Sequence, residues 1–218
     1  MSKPVKIDFV SDVACPWCAI GLAALERAIA SVGGDLQVEL HFQPFELNPD
    51  MVAEGESIAD HLGRKYGLSA EQLAQNGEAL RQRGEALGVR IDLQKRDRIY
   101  NTFDAHRLLH WAGELGAAQQ QALKRALLQA YHGDGRNVSD RDTLVDIAAA
   151  VGLDAGEARR ILETDTYAAQ VREREHFYQQ HGIRAVPSVI FNDRHLVQGG
   201  QPPEVFEQAL RQLAGISG

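Results

Sequence analysis

The chain has 218 residues, 44% hydrophobic and 24% charged, with a formal net charge of −7. That length fits one domain, or one domain carrying a large insertion, and the apolar fraction supports a real core. An acidic balance without a basic cluster argues against nucleic acid and anionic membranes as partners, and no stretch approaches the ~20 apolar residues of a membrane span.

Met1-Ser2-Lys3-Pro4 leads straight into an alternating run with no apolar signal region, so the expected setting is the cytoplasm. Val5, Ile7 and Phe9 alternate and predict a first strand over residues 5–10. Cys15-Pro16-Trp17-Cys18 follows, with the only two cysteines of the chain. A helical pattern (Ile20, Leu22, Leu25, Ile29) then runs to about residue 31 and stops at Gly33-Gly34. Leu36, Val38, Leu40 and Phe42 alternate as a second strand. Two prolines in Gln43-Pro44-Phe45-Glu46-Leu47-Asn48-Pro49 end it.

From about residue 57 to 165 the pattern changes to short, punctuated helices. Ser57 with Asp60, Ser69 with Gln72, Ser139 with Asp142 and Asp154 with Glu157 have the spacing of N-terminal caps. Gly67, Gly88, Gly116 and Gly152 follow predicted helix ends. Val89, Ile91 and Leu93 read as a brief extended link, and Gly133-Asp134-Gly135 as a break. A helix over 166–181 returns the chain to strand patterns. Val186 to Phe191 reads as a buried strand, Asn192-Asp193 as a turn, and His195-Leu196-Val197 as its partner. Pro202-Pro203 opens a closing helix. The order predicts an α/β unit interrupted by a large all-helical insertion, with domain segments 1–56 and 166–218 around 57–165.

A strand, then C-x-x-C, then a helix is the sequence form of a thioredoxin-like redox site. Cys15 falls at the helix start, where unpaired N–H groups and the macrodipole favour a thiolate, and Pro16 suits the first helical position. Cys18 lies one turn further in. Cys15 is therefore read as the nucleophile and Cys18 as the resolving thiol. Trp17 reads either as an apolar lid for a partner or as packing at the helix start. A structural disulfide closing so short a loop would stabilise little. A zinc site needs four ligands, and no histidine spacing supplies them, so no metal is expected. Covalent haem would need histidine where Ala19 stands.

Four stretches resemble the DsbA family of thioredoxin-fold proteins, in its FrnE-like branch of cytosolic members. They are Cys-Pro-Trp-Cys with Ile20-Gly21; Phe45 to Pro49; Asn101-Thr102 with Ala105-His106-Arg107-Leu108; and Val186-Pro187 followed by Gly199 to Phe206. The resemblance implies a mixed sheet flanked by helices, a helical insertion, and a cis-proline at Pro187 beside the cysteines. It makes Pro16, Trp17, Val186, Pro187, Phe45, Asn48 and His106 candidate substrate-binding residues. His106 reads either as a proton shuttle at Cys15 or as a buried structural histidine, and Asn101 as a helix cap. DsbA has a histidine between its cysteines; here the pair is Pro-Trp, and Asp12 opposes a thiolate. Cys15 is thus expected to be less acidic, and its disulfide less oxidising, than in DsbA.

The resemblance implies a thiol–disulfide oxidoreductase, with disulfide isomerase activity as a variant, acting on protein or small-molecule thiols or disulfides. No bound cofactor is expected; glutathione is a candidate redox partner or cosubstrate. The alternative is a glutathione-dependent isomerase or transferase of the 2-hydroxychromene-2-carboxylate isomerase or kappa type, which usually carries serine where Cys15 stands. A third reading is a peptide-holding module with an apolar patch at Trp17, Phe45 and Val186. A homodimer is compatible with all three. The charge runs Lys95 to Arg98 and Arg172 to Glu175 read as solvated faces.

Overall fold

The computed structural model describes residues 4–33 and 36–215; Gly34 and residues 1–3 lie outside that range. Its centre is strand β1 (Val5–Ser11), buried at six of seven positions. β1 runs parallel to β2 (Val38–Pro44) and antiparallel to β5 (Ser188–Phe191), which pairs antiparallel with β6 (His195–Gln198), giving the order β2-β1-β5-β6. Phe9 sits opposite both Phe42 and Val189. With neighbours on both edges and helices packed against it, the strand buries Val5, Ile7, Phe9 and Val10, and takes Asp8 and Ser11 inside with them. In the three-residue loop between β5 and β6, Asn192 and Asp193 take left-handed φ of 50° and 58°, and the Arg194 N–H donates to Phe191 O at 3.0 Å to close the turn.

Helix α1 (Pro16–Val32) connects β1 to β2. It shares with the sheet a core of Ile7, Phe9, Leu22, Leu25, Phe42, Val189 and Phe191, to which Phe206 and Leu210 of α9 (Pro203–Ala214) belong. This is the mixed sheet flanked by helices that the family resemblance implies. Helices α2 (Ile58–Tyr66) and α3 (Ala70–Ala86) follow β2, and the two-residue strands β3 (Glu56–Ser57) and β4 (Arg98–Ile99) pair at their base. A second core forms among α4 (Phe103–Leu115), α5 (Ala117–Leu128), α6 (Arg141–Ala150) and α7 (Ala155–Glu163), around Leu108, Leu123, Leu127, Leu144 and Ile161. Helix α8 (Ala168–Gln180) returns the chain to β5. The cores interlock: Val13 and Ala14, just before α1, pack in the helical core, while Leu128 of α5 packs with the sheet.

Several local expectations change. The cap of α6 is Asp140, whose carboxylate accepts from Thr143 N at 2.8 Å; Ser139 bonds instead to Ala53 O and Asn137. Ser69 and Gln72 do form a reciprocal capping box, and Ser57 and Asp154 cap as their spacing predicts. Residues 89–93 form no strand, and the strand expected from Val186 starts at Ser188. The expected break after α5 is a π-helical turn, Gln129–Gly133. Among the described residues no helix is long and apolar enough to cross a membrane.

Candidate active site

Cys15 is the N-cap of α1, with extended backbone (φ −86°, ψ 114°), and Pro16 takes the first helical position, where no N–H is needed. The Cys18 N–H donates to Cys15 O at 3.1 Å, closing the first turn. Both cysteines are free thiols and both are buried, Cys15 at 4% exposure and Cys18 at 0%. Across the site the Val186–Pro187 bond is cis, and the Cys15 thiol lies 3.7 Å from Val186 O as a weak donor. Trp17 is half-buried between Gly200, where a Cβ would come within 3.0 Å of its ring, and Arg83, whose guanidinium stands 5.3 Å over it. Trp17 thus packs at the helix start and also lines the cleft described below.

The two thiols are unequal. Cys15 is held below the ordinary thiol range, first by the Cys18 thiol donating to it; burial pushes the other way, the Cys18 and Trp17 N–H groups help, and the Asp12 charge opposes. Cys18 is pushed well above that range by burial and by Cys15, with the Lys124 charge working against the rise. The lower-lying thiol stands at the helix tip and the higher-lying one lies behind it.

Asp12 organises the loop that carries them. Its Oδ1 accepts from Thr102 Oγ1 at 2.7 Å and Ala14 N at 3.2 Å, and its Oδ2 from Leu47 N at 2.7 Å. His106 Nε2 stands 3.5 Å from Oδ1. Burial alone would raise the Asp12 carboxyl, but His106 and the Leu47 and Thr102 donors outweigh it and keep the group below the ordinary range. Thr102 is the residue before α4, yet its hydroxyl serves Asp12. Asn101 does the local work instead, accepting from Phe103 N at 2.9 Å and donating to Met51 O at 3.1 Å. His132, on the π-helical turn, is kept neutral first by burial and then by the Arg96 charge, with Nε2 bonded to Val13 O at 2.9 Å.

A cleft of about 450 Å³ opens at Cys15. Pro16, Trp17 and Leu47 meet Leu62 and Tyr66 of α2 and Leu80 of α3 as apolar wall, and Asn48, Lys65, Asn76 and Arg96 add polar groups. Lys65 Nζ donates to Asn48 Oδ1 at 2.8 Å and ties the loop to α2. Val186 reaches Cys15 through its carbonyl, and neither it nor Pro187 lines this cleft. Two candidates lie elsewhere. Phe45 is buried against Val10, Tyr178 and Ile183, so the apolar patch expected from Trp17, Phe45 and Val186 lacks its middle member. His106 is buried, with Nε2 3.5 Å from Asp12 Oδ1, and lines a separate cavity.

Two charge runs read as solvated faces prove mixed. Arg96 lies over the Tyr131 ring at 5.2 Å and lines the cleft, and Glu175 is buried beside Arg172. Sequence reasoning missed Leu62 and Tyr66, whose four-residue spacing marks one helix face. It also missed Lys124, fully buried on α5. Among the described residues no group of three or more His, Cys, Asp or Glu is placed to hold a metal.

The profile of the DSBA-like thioredoxin domain matches residues 6–211. The protein YwbO of Bacillus subtilis (strain 168) is 31% identical over 207 residues, 94% of this chain and 96% of YwbO. Among solved structures, the probable DsbA oxidoreductase of Streptomyces coelicolor superposes with a TM-score of 0.89 at 36% identity, over 98% of this chain and 92% of that one. A 2-hydroxychromene-2-carboxylate isomerase superposes with a TM-score of 0.73 at 17% identity, over 98% of this chain and 100% of that one, a likeness of fold.

Proposed function

The chain belongs to the DSBA-like thioredoxin domain family, and from that premise we propose that it is a thiol–disulfide oxidoreductase in which Cys15 attacks and Cys18 resolves. The carrying observation is a pair of unequal thiols set one helical turn apart, the first lining a cleft and the second buried behind it. The Cys15 thiolate attacks one sulfur of a substrate disulfide and the other sulfur leaves. Cys18 then attacks Cys15 Sγ, releasing the substrate as dithiol and leaving the cysteine pair oxidised. The reverse sequence delivers a disulfide. Pro16, Trp17 and Asn48 are proposed substrate contacts on one side, with Val186 and Pro187 on the other. In the proposed organisation 1–56 and 166–218 carry the redox site, and the helical insertion 57–165 supplies the second wall. The proposed setting is the cytoplasm, consistent with both cysteines being placed at one exchange site rather than as a structural crosslink.

Cys15→Ser is expected to abolish disulfide exchange with a peptide disulfide. Cys18→Ala is expected to accumulate a mixed disulfide at Cys15, visible by intact mass. Exchange at the original rate in the Cys15 variant would exclude the mechanism.

The glutathione-dependent reading keeps one supporting observation: Lys65, Asn76 and Arg96 around an apolar cleft suit a small, carboxylated thiol. Glutathione that binds tightly without forming a mixed disulfide in the same mass experiment would favour that reading over exchange.

A further inference from the structure

A second cavity, of about 180 Å³, lies between β2, α4 and α5 and shares no residue with the Cys15 cleft. Its volume is below the ~300 Å³ at which sites for drug-sized ligands begin, yet several times the ~30 Å³ share of one water molecule. That size suits a small ion rather than a cofactor or a peptide. Most of the polar lining is already engaged. Gln120 Oε1 accepts from Phe42 N at 2.9 Å, and its Nε2 donates to Phe42 O and Leu109 O, each at 3.1 Å. Gln43 Nε2 donates to Asp8 Oδ1. Glu114, the one carboxylate of the wall, accepts from Tyr167 OH at 2.7 Å and faces His110 Nε2 at 3.6 Å. The other polar side chains of the wall are basic: Lys124, Arg174, His41 and His106. They are gathered in a chain whose formal net charge is −7.

Lys124 is fully buried and lines this wall. The charges of Cys18, Asp12 and Cys15 act on it from a distance, and among the described residues no side-chain hydrogen bond holds it. An ammonium taken out of water is costly unless an anion or several hydrogen bonds compensate it. Arg174 stands exposed at the mouth of the same space, so the cavity is open to ions from solvent.

We propose that this cavity is a binding site for a small oxyanion of the sulfate or phosphate class, held by the Lys124 ammonium inside and the Arg174 guanidinium at the mouth. Two cations at different depths favour a doubly charged ion over chloride or a single carboxylate. Burial lowers Lys124, and a bound dianion acts the other way, stabilising the ammonium. Neither cysteine lines the cavity, and binding needs no redox step, so the site stands apart from the exchange reading. It still borders the active-site scaffold. His106 Nε2 lies 3.5 Å from Asp12 Oδ1, and Asp12 holds the Leu47 N–H of the loop after β2.

Sulfate, a dianion throughout the neutral range, is the probe. Titrated into the isotope-labelled, reduced full-length protein at constant ionic strength, it should shift amide resonances saturably, with a dissociation constant of about 1 mM, the strength of two hydrogen bonds to charged groups. The shifts should centre on His41, Phe42, Gln43, Gln120 and Lys124. Lys124→Met should weaken binding by about 10-fold or more, the low end for losing one such bond. Arg174→Gln changes an exposed position and should weaken binding by about 3-fold, as for a solvent-screened charge. It carries the test if the methionine variant does not fold. Shifts that centre on Lys65 and Arg96 of the Cys15 cleft overturn the proposal, as do shifts that grow with sulfate without saturating. An unchanged dissociation constant in folded Lys124→Met overturns it too, or in Arg174→Gln where that variant stands in.

Discussion

At the scale of single residues, Asp12 carries two roles that pull apart. Its carboxylate holds Ala14, Leu47 and Thr102 in place, and its charge opposes the Cys15 thiolate. Asp12→Asn keeps one acceptor oxygen and removes the charge. Cys15 should then titrate lower, because the opposing charge is gone. The cysteine disulfide should become more oxidising, because the reduced form gains a better-stabilised thiolate. Global stability should fall by ~1–3 kcal/mol, because bonds to a charged acceptor are exchanged for weaker ones. Iodoacetamide alkylation of Cys15 against pH reads the titration directly. A Cys15 that titrates at or above its original value in Asp12→Asn would leave Asp12 with its structural role alone. The opposing charge was legible in the sequence because Asp12 stands three residues from Cys15. Lys124 was not, because a polar residue between Leu123 and Leu127 looks like an exposed position. Only the packing of α5 against α1 and β2 turns it inward.

At the scale of elements, α1 is held against the residues just before β5 and just after β6 by a missing side chain. A Cβ on Gly21 would lie 3.0 Å from Pro187 Cγ and 3.6 Å from Gly200 Cα. Alanine in a helix interior is ordinarily favoured over glycine by about 1 kcal/mol. Overpacking costs about 1–3 kcal/mol where neighbours cannot give way, and here one of them is a proline ring and another a backbone carbon. The second effect should win, so Gly21→Ala should destabilise by about 1 kcal/mol net. Thermal unfolding checks the sign: a raised midpoint would mean the contact has slack. The helices and strands themselves were legible because their periodicities are strong and their stops are glycines and prolines. The pairing of β3 with β4 was not, since two-residue strands carry no period. The loss of Ser139 as a cap was equally hidden, because Asp140 beside it competes for the same N–H groups with a stronger acceptor. Phe45 reads as a groove residue only until β2 is placed. At its end the chain turns the ring into the small core with Val10, Tyr178 and Ile183.

At the scale of the whole molecule, two buried carboxylates tie the segment after β2 to helix α8. Arg172 Nη1 bonds Glu46 Oε2 and also Glu175 Oε2, the latter at 2.9 Å. The remaining oxygens, Glu46 Oε1 and Glu175 Oε1, are buried without a protein partner. One guanidinium does not balance two such carboxylates. Burial first, and then the Glu175 charge, push Glu46 up from 4.5 to about 7, while Arg172 and His106 pull the other way; burial raises Glu175 too. In the unfolded chain Glu46 loses its proton near pH 4.5, whereas in the folded chain it keeps it to about pH 7. Between those values the folded state binds more protons, so stability must fall as pH rises, and the loss is complete above the folded value. Each unit corresponds to ~1.4 kcal/mol, which bounds the decline at ~3 kcal/mol from this group. Urea unfolding should therefore show stability declining from about pH 4.5 to about pH 7 by an amount that Glu46→Gln removes. The amide cannot ionise, so the variant should be the more stable protein at pH 8 and lose its advantage on acidification. Equal slopes in the two proteins would mean that Glu46 is ionised throughout. The consequence reaches the active site, because the next residue, Leu47, donates to Asp12 and lines the cleft at Cys15.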